Sequence, residues 1–158
     1  MRNILFDGFA APSIQPNTFR NWKKRIRNMS NVRLWALGNA TDTAANFSST
    51  NGDQGSLPAN VITHTGGSDG DYIQVPDCSG SDYFDDHHIS VSAPNGSSPE
   101  ESWNVSIWAD DQQNGMVCWS PSLYYAEGYN FPESQNNPNC SLLIRLVNGA
   151  PVVTWAPF

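Results

Sequence analysis

The sequence predicts an all-β fold, an antiparallel β-sandwich of jelly-roll or immunoglobulin-like type, preceded by an N-terminal arm with a short basic amphipathic helix. Three observations predict it. The polarity of the chain comes from Asn, Ser, Gly and Asp, residues that favour turns and depress helix, while only 15% of its residues are charged. Apolar residues alternate over short runs, most clearly in 103–109 and in the two runs flanking Asn148 and Gly149. The charge is also divided along the chain. Residues 1–33 hold seven of the eight basic side chains against Asp7, formally +6, and residues 34–158 hold Arg145 against 14 carboxylates, formally −13, which together give the net −7.

A length of 158 residues with six Trp, five Tyr and seven Phe suits one hydrophobic core, in a chain that buries roughly 70% of its unfolded surface. The charge division splits the chain into a basic arm at 1–33 and an acidic sandwich domain at 34–158. Within the arm, Pro12 and Pro16 punctuate an extended lead. Asn17 or Thr18 then caps a helix reaching about Met29. Phe19, Trp22, Ile26 and Met29 recur at helical spacing as one apolar stripe, and Arg20, Lys23, Lys24, Arg25 and Arg27 cover much of the rest. Such a helix suits docking, onto its own domain or a neighbouring subunit. Nucleic acid is disfavoured as a partner because the acidic body repels phosphate. The stripe supports at most a surface position on a membrane.

Beyond the arm the period changes to two. Residues 32–37 read as a first strand, followed by a polar stretch at 38–60 expected to be an excursion or loop. Short strands at 61–64 and 72–75 flank a Gly- and Asp-rich turn, and 87–93 reads as another strand with His87, Ile89 and Val91 on one face. In 103–109, Trp103, Val105, Ile107 and Ala109 are the core set, which leaves Asn104, Ser106 and Trp108 facing outward. Residues 116–120 return as the hairpin partner with Val117 and Trp119 inward. The last hairpin joins 142–147 to 150–155 through Asn148-Gly149, a dipeptide suited to a type I′ turn. Pro151 belongs at a strand start or on an edge, since it has no N–H to give to a ladder.

The chemistry-bearing residues have bland alternatives. Cys78, Asp82, Asp85, Asp86, His87 and His88 cluster in sequence, but strand alternation divides the Asp and His residues between two faces, so they are read as a solvated strand entry. Asp69 with Asp71, and Asp110 with Asp111, form oxygen-rich loops that would suit Ca²⁺, though without EF-hand spacing. No other cofactor is expected. The three cysteines are odd in number and include no CxxC pair, which argues against a disulfide framework. No nucleophile elbow, HExxH, P-loop or Rossmann glycine pattern occurs, so a non-enzymatic protein is expected.

Residues 124–139 combine aromatic faces at Tyr125, Tyr129 and Phe131 with Glu127, Asn130 and Glu133, and an outward Trp108 would add a second platform. That composition suits glycans and wet protein interfaces alike. The first expectation is therefore a structural subunit of a coat, decoration or inclusion type. It would self-associate through Phe19, Trp22, Lys23, Lys24, Arg25, Ile26, Arg27 and Met29. A lectin-like sandwich that binds carbohydrate, calcium-dependent if the acidic loops hold Ca²⁺, is second, and a membrane-active toxin third. The N-terminus lacks the apolar run of a signal peptide and no apolar stretch is long enough for a transmembrane segment. Cytoplasmic synthesis is expected, with a virion, inclusion or other assembled particle as the destination that fits.

Overall fold

The computed structural model describes residues 29–61, 72–78, 80–93, 102–122, 125, 128–135 and 139–156, with backbone alone at 29–31 and 81–83. The fold is mostly β-sheet. Its strands are β1 (Met29–Asn39), β2 (Ala45–Ser49), β3 (Gln54–Leu57), β4 (Ile73–Cys78), β5 (Ile89–Ser92), β6 (Asn104–Asp110), β7 (Met116–Ser120), β8 (Tyr129–Asn130), β9 (Asn139–Val147) and β10 (Ala150–Trp155). They pair in the order β10-β9-β1-β4-β6-β5-β2-β3, with β7 attached to β6 and β8 to β7.

Both expected hairpins form. β6 and β7 pair antiparallel with Ile107 opposite Trp119, and Val105, Ile107, Ala109, Val117 and Trp119 all enter the main core. β9 and β10 pair from Ala150 opposite Val147 to Trp155 opposite Leu142. Asn148 and Gly149 both have positive φ, 53° and 79°, as a type I′ turn requires. Pro151 lies on β10, an edge strand.

Four expectations are corrected. The pairings are not all antiparallel, because β1 runs parallel to β9 and β4 runs parallel to β6. Residues 38–60 are not an excursion: Ala45, Phe47 and Ser49 are buried in alternation with exposed Asn46 and Ser48, and β2 pairs with both β3 and β5. The strand expected from His87 begins at Ile89, after a 3-10 turn over Ser81–Asp86. Met29, assigned to the helical stripe, is the first residue of β1, and this strand crosses the boundary drawn at 33/34. The remainder of the helix, residues 17–28, lies outside the described residues, and so do positions 62–64 of the strand expected at 61–64.

One buried polar side chain ties the β2–β3 hairpin to β1. Asn39, at the end of β1, is fully buried. Its Nδ2 donates to the carbonyls of Leu57 (3.1 Å) and Thr43 (2.9 Å), and its Oδ1 accepts from Thr41 N (3.0 Å) and Oγ1 (2.8 Å). A single amide thereby engages four partners, in keeping with the rule that buried polar groups are hydrogen-bonded.

The main core draws Leu34 and Leu37 from β1, Phe47 from β2, Leu57 from β3, Ile73 and Val75 from β4, and Ile89 and Val91 from β5, together with residues of β6, β7, β9 and β10. A second, smaller cluster of Cys78, Phe84, Trp108 and Cys118, with Tyr125 packed on it, covers the opposite face of β6 and β7.

Candidate functional site

The second cluster marks the most chemically concentrated region among the described residues. Parallel pairing sets Asp77 opposite Ala109 and Cys78 opposite Asp110, and antiparallel pairing sets Cys118 opposite Trp108. Successive side chains of a strand alternate faces, so Cys78, Asp110, Trp108 and Cys118 share one face of three adjacent strands.

Trp108 is 1% exposed, which overturns its reading as an outward platform. Its ring meets Phe84 edge-on at 5.0 Å and Tyr125 at 5.6 Å, and Phe84 stacks on His88 at 4.8 Å. The strand pattern cannot show this cover, because Phe84 and Tyr125 come from turns remote in sequence. Gly128 belongs to the same packing: a Cβ there would stand 2.8 Å from Trp108 Cζ2 and 2.9 Å from Cη2. Only a residue without a side chain allows that approach.

Asp110 is buried and engaged. Gln112 N donates to its Oδ1 at 3.0 Å; Gln113 Nε2 and the Tyr125 hydroxyl donate to its Oδ2 at 3.1 Å and 2.6 Å. It caps a 3-10 turn over Asp111–Gln113, whose first residue Asp111 is exposed. These bonds engage both oxygens of Asp110, one of the residues that would suit Ca²⁺. Asp69 and Asp71 lie outside the described residues, and among the described residues no group of three or more His, Cys, Asp or Glu is arranged to hold a metal ion.

Asp77 is the residue that sequence reasoning missed. Its Oδ1 is buried without a hydrogen-bond partner among the described residues. Burial, then the charges of Asp111 and Asp110, push its carboxyl from 3.8 up to about 6. The same surroundings raise both thiols. Cys78 is raised chiefly by burial, and Cys118 is pushed up to about 12 by burial and then by Asp110. Cys78 Sγ donates to the Gly80 carbonyl at 3.0 Å and Cys118 Sγ to Asn130 Oδ1 at 3.1 Å. Both thiols are held protonated, the reverse of an activated thiolate. Tyr125 is likewise raised, by burial first and then by its bond to Asp110.

His88 bonds to the backbone. Nδ1 of His88 donates to the Phe84 carbonyl at 2.7 Å, a bond that fixes the proton on that nitrogen. Asp85 and Asp86 are exposed on the 3-10 turn, where strand alternation does not apply.

The residues expected to hold a glycan are dispersed. Tyr129 is 57% exposed and stacks on Trp119, with ring centroids 4.9 Å apart. Phe131, just beyond β8, is instead buried and tilts against Trp155 at 5.8 Å, its backbone N donating to the Val117 carbonyl at 2.9 Å. Tyr125 is half-buried in the Trp108 cluster. Asn130 is exposed, but its amide is occupied by Cys118 and by Gln113 Oε1 at 3.1 Å. Glu133 is exposed on a 3-10 turn over Pro132–Gln135. Glu127 lies outside the described residues, as do Phe19, Trp22, Lys23, Lys24, Arg25, Ile26 and Arg27.

Comparison with protein-family models, with curated proteins and with solved structures returns no match. No helix among the described residues is long and apolar enough to cross a membrane.

Proposed function

We propose that the chain is a non-enzymatic structural subunit that self-associates through its basic N-terminal segment. In this reading β10-β9-β1-β4 and β3-β2-β5-β6-β7-β8 are the two layers of a sandwich joined at β4 and β6. The observation that carries the reading is where β1 starts. Met29 pairs with Pro76, one residue from Asp77, and β4 in turn pairs with the end of β6 at Asp110. The chain therefore enters the sheet beside Asp77, Asp110 and Asp111, immediately after Arg20, Lys23, Lys24, Arg25 and Arg27. Asp77, whose carboxyl is raised by burial and then by the charges of Asp111 and Asp110, gains from a cationic neighbour. The described residues supply only Arg33 and Arg145 as Lys or Arg, neither of which is on that strand end. The basic segment of a second copy has the complementary charge, and Phe19, Trp22 and Ile26 supply apolar area.

Light scattering on the full chain tests this. Lys23→Glu, Lys24→Glu and Arg25→Glu together, or Asp111→Lys alone, should lower the associated fraction at low salt. The difference from wild type should shrink at high salt, because the Debye length falls from about 10 Å at 0.1 M to about 3 Å at 1 M. A wild-type chain that is monomeric at every concentration would overturn the proposal.

A second reading, glycan binding, is favoured by the stacked and exposed Tyr129. There Tyr129→Ala should abolish glycan-array signal with little change in thermal midpoint. An array without hits for the wild type removes it.

A further inference from the structure

Among the described residues the sheet ends at β10, and the hydrogen-bond register of that strand says what its open edge can accept. Ala156 N donates to the Ser141 carbonyl at 2.8 Å, which continues the ladder in which Thr154 faces Leu143 and Val152 faces Arg145. Antiparallel pairs alternate between bonded and non-bonded. Residues 150, 152, 154 and 156 therefore direct their backbone groups toward β9, and Pro151, Val153 and Trp155 direct theirs away from it. Independently, the carbonyl of Ile144, opposite Val153, is taken by Ala40 N at 2.8 Å on the other side of β9. Pro151 thus sits where its missing N–H costs no bond within the chain. The N–H groups of Val153 and Trp155 and the carbonyls of 151, 153 and 155 have no partner among the described residues.

Among the described residues, this edge carries only one of the usual protections. Open strands are commonly guarded by charge, brevity, a bulge or proline; β10 has Pro151 near its start, but it is six residues long, reads APVVTW and carries no charge. By contrast, β8 has two residues, and β3 has four beside Asp53.

We infer that β10 is an interface that takes the β10 of a second copy of this chain, antiparallel about a two-fold axis at Val153, making one sheet continuous through both subunits. The pattern is self-complementary. Val153 of each copy exchanges N–H···O bonds with Val153 of the other, and each Trp155 N–H meets the carbonyl of the other copy's Pro151. Four hydrogen bonds form, and the N–H that Pro151 lacks is the sole gap on each side. Pro151 and Trp155 are both half-buried on the core side, and this register sets each Trp155 ring opposite a proline ring. A shifted register with Val153 opposite Trp155 also makes four bonds, but it leaves 150–152 unpaired. A two-fold contact of this kind is isologous and closes at a dimer. It does not depend on the basic segment, so the two associations can fail separately.

The test uses the register, in which Val152 of one copy stands opposite Thr154 of the other on the outer face. In the full chain, Val152→Lys with Thr154→Lys sets Lys opposite Lys twice and should give a monomer by sedimentation. Val152→Lys with Thr154→Glu sets Lys opposite Glu twice and should restore the dimer. Hydrogen exchange on the wild type gives a second readout independent of any substitution. The amides of Val153 and Trp155 should become protected as concentration rises through the dimerisation range, and should stay so in the Lys23, Lys24 and Arg25 to Glu variant. Rapid exchange at every concentration, or protection independent of concentration, would overturn the interface. So would equal dimerisation of the two charged variants or failure of the Lys–Glu variant to dimerise.

Discussion

Tyr125 donates its hydroxyl to Oδ2 of Asp110 at 2.6 Å, and this contact ties the turn that covers Trp108 to the end of β6. The carboxylate it reaches is buried and already holds two other donors. Losing a hydrogen bond to a charged group costs about 1.5–3 kcal/mol. Tyr125→Phe should therefore lower the urea-derived stability by about that amount, and a loss under about 0.5 kcal/mol would show that the bond contributes little. Alkaline titration gives an independent check. The wild type should contain a late-ionising tyrosine, since burial and Asp110 raise Tyr125, and the variant should lack it.

Asp77 makes the fold more stable in mild acid. Its carboxyl sits at about 6 in the folded chain against 3.8 for the free group, so the native state binds this proton more tightly than the unfolded state. The stabilisation from protonation is complete below about 3.8 and is lost as pH rises through about 6. Asp77→Asn removes the charge that is repelled by Asp111 and Asp110. The thermal midpoint of the variant relative to wild type should rise between pH 4 and pH 7 and then level off. A difference that stays flat over this window would show that Asp77 does not titrate there.

How much of this was legible varies by element. The β6–β7 and β9–β10 hairpins could be read because alternation and the Asn-Gly turn are local signals. The β2–β3 hairpin could not: only Phe47 and Leu57 are large apolar residues within it, and the tie to β1 comes from the amide of Asn39. Alternation placed Trp108 correctly opposite Ile107 and Ala109, but it could not reveal Phe84 and Tyr125 covering that second face. Asp77 gave no sign because its neighbours are made by parallel pairing with β6, a contact between distant segments. The parallel partnership of β1 and β9 was hidden for the same reason.

Asn39 tests how far that one amide holds the β2–β3 hairpin. Replacing it by Ala removes the acceptor of the buried Thr41 N–H and one donor to the Leu57 carbonyl, and a buried group left unsatisfied costs about 1–3 kcal/mol. Asn39→Ala should be clearly destabilising, whereas Asn46→Ala, on the exposed face of β2, should stay within about 0.5 kcal/mol of wild type. Asn39→Asp retains the acceptor for Thr41 but loses both donors and buries a charge, so it should be the worst of the three. Equal effects of Asn39→Ala and Asn46→Ala in denaturant melts would sink this account.

Gly128 and Trp108 should behave as a coupled pair. The Cβ of an alanine at 128 would lie 2.8 Å and 2.9 Å from two atoms of the indole and 3.2 Å from the Tyr125 carbonyl. The indole has nowhere to retreat, being 1% exposed and held between Phe84 and Tyr125. Overpacking of this sort costs about 1–3 kcal/mol, so Gly128→Ala should destabilise by that amount. Trp108→Phe shortens the ring that the methyl meets and also removes Nε1, which has no partner among the described residues. The double variant should then be more stable than the sum of the two single effects by about 0.5–3 kcal/mol, the range seen for residues in contact. Strict additivity would mean that the clash is relieved by movement of the turn carrying Gly128, and that the cover over Trp108 is looser than its packing distances imply.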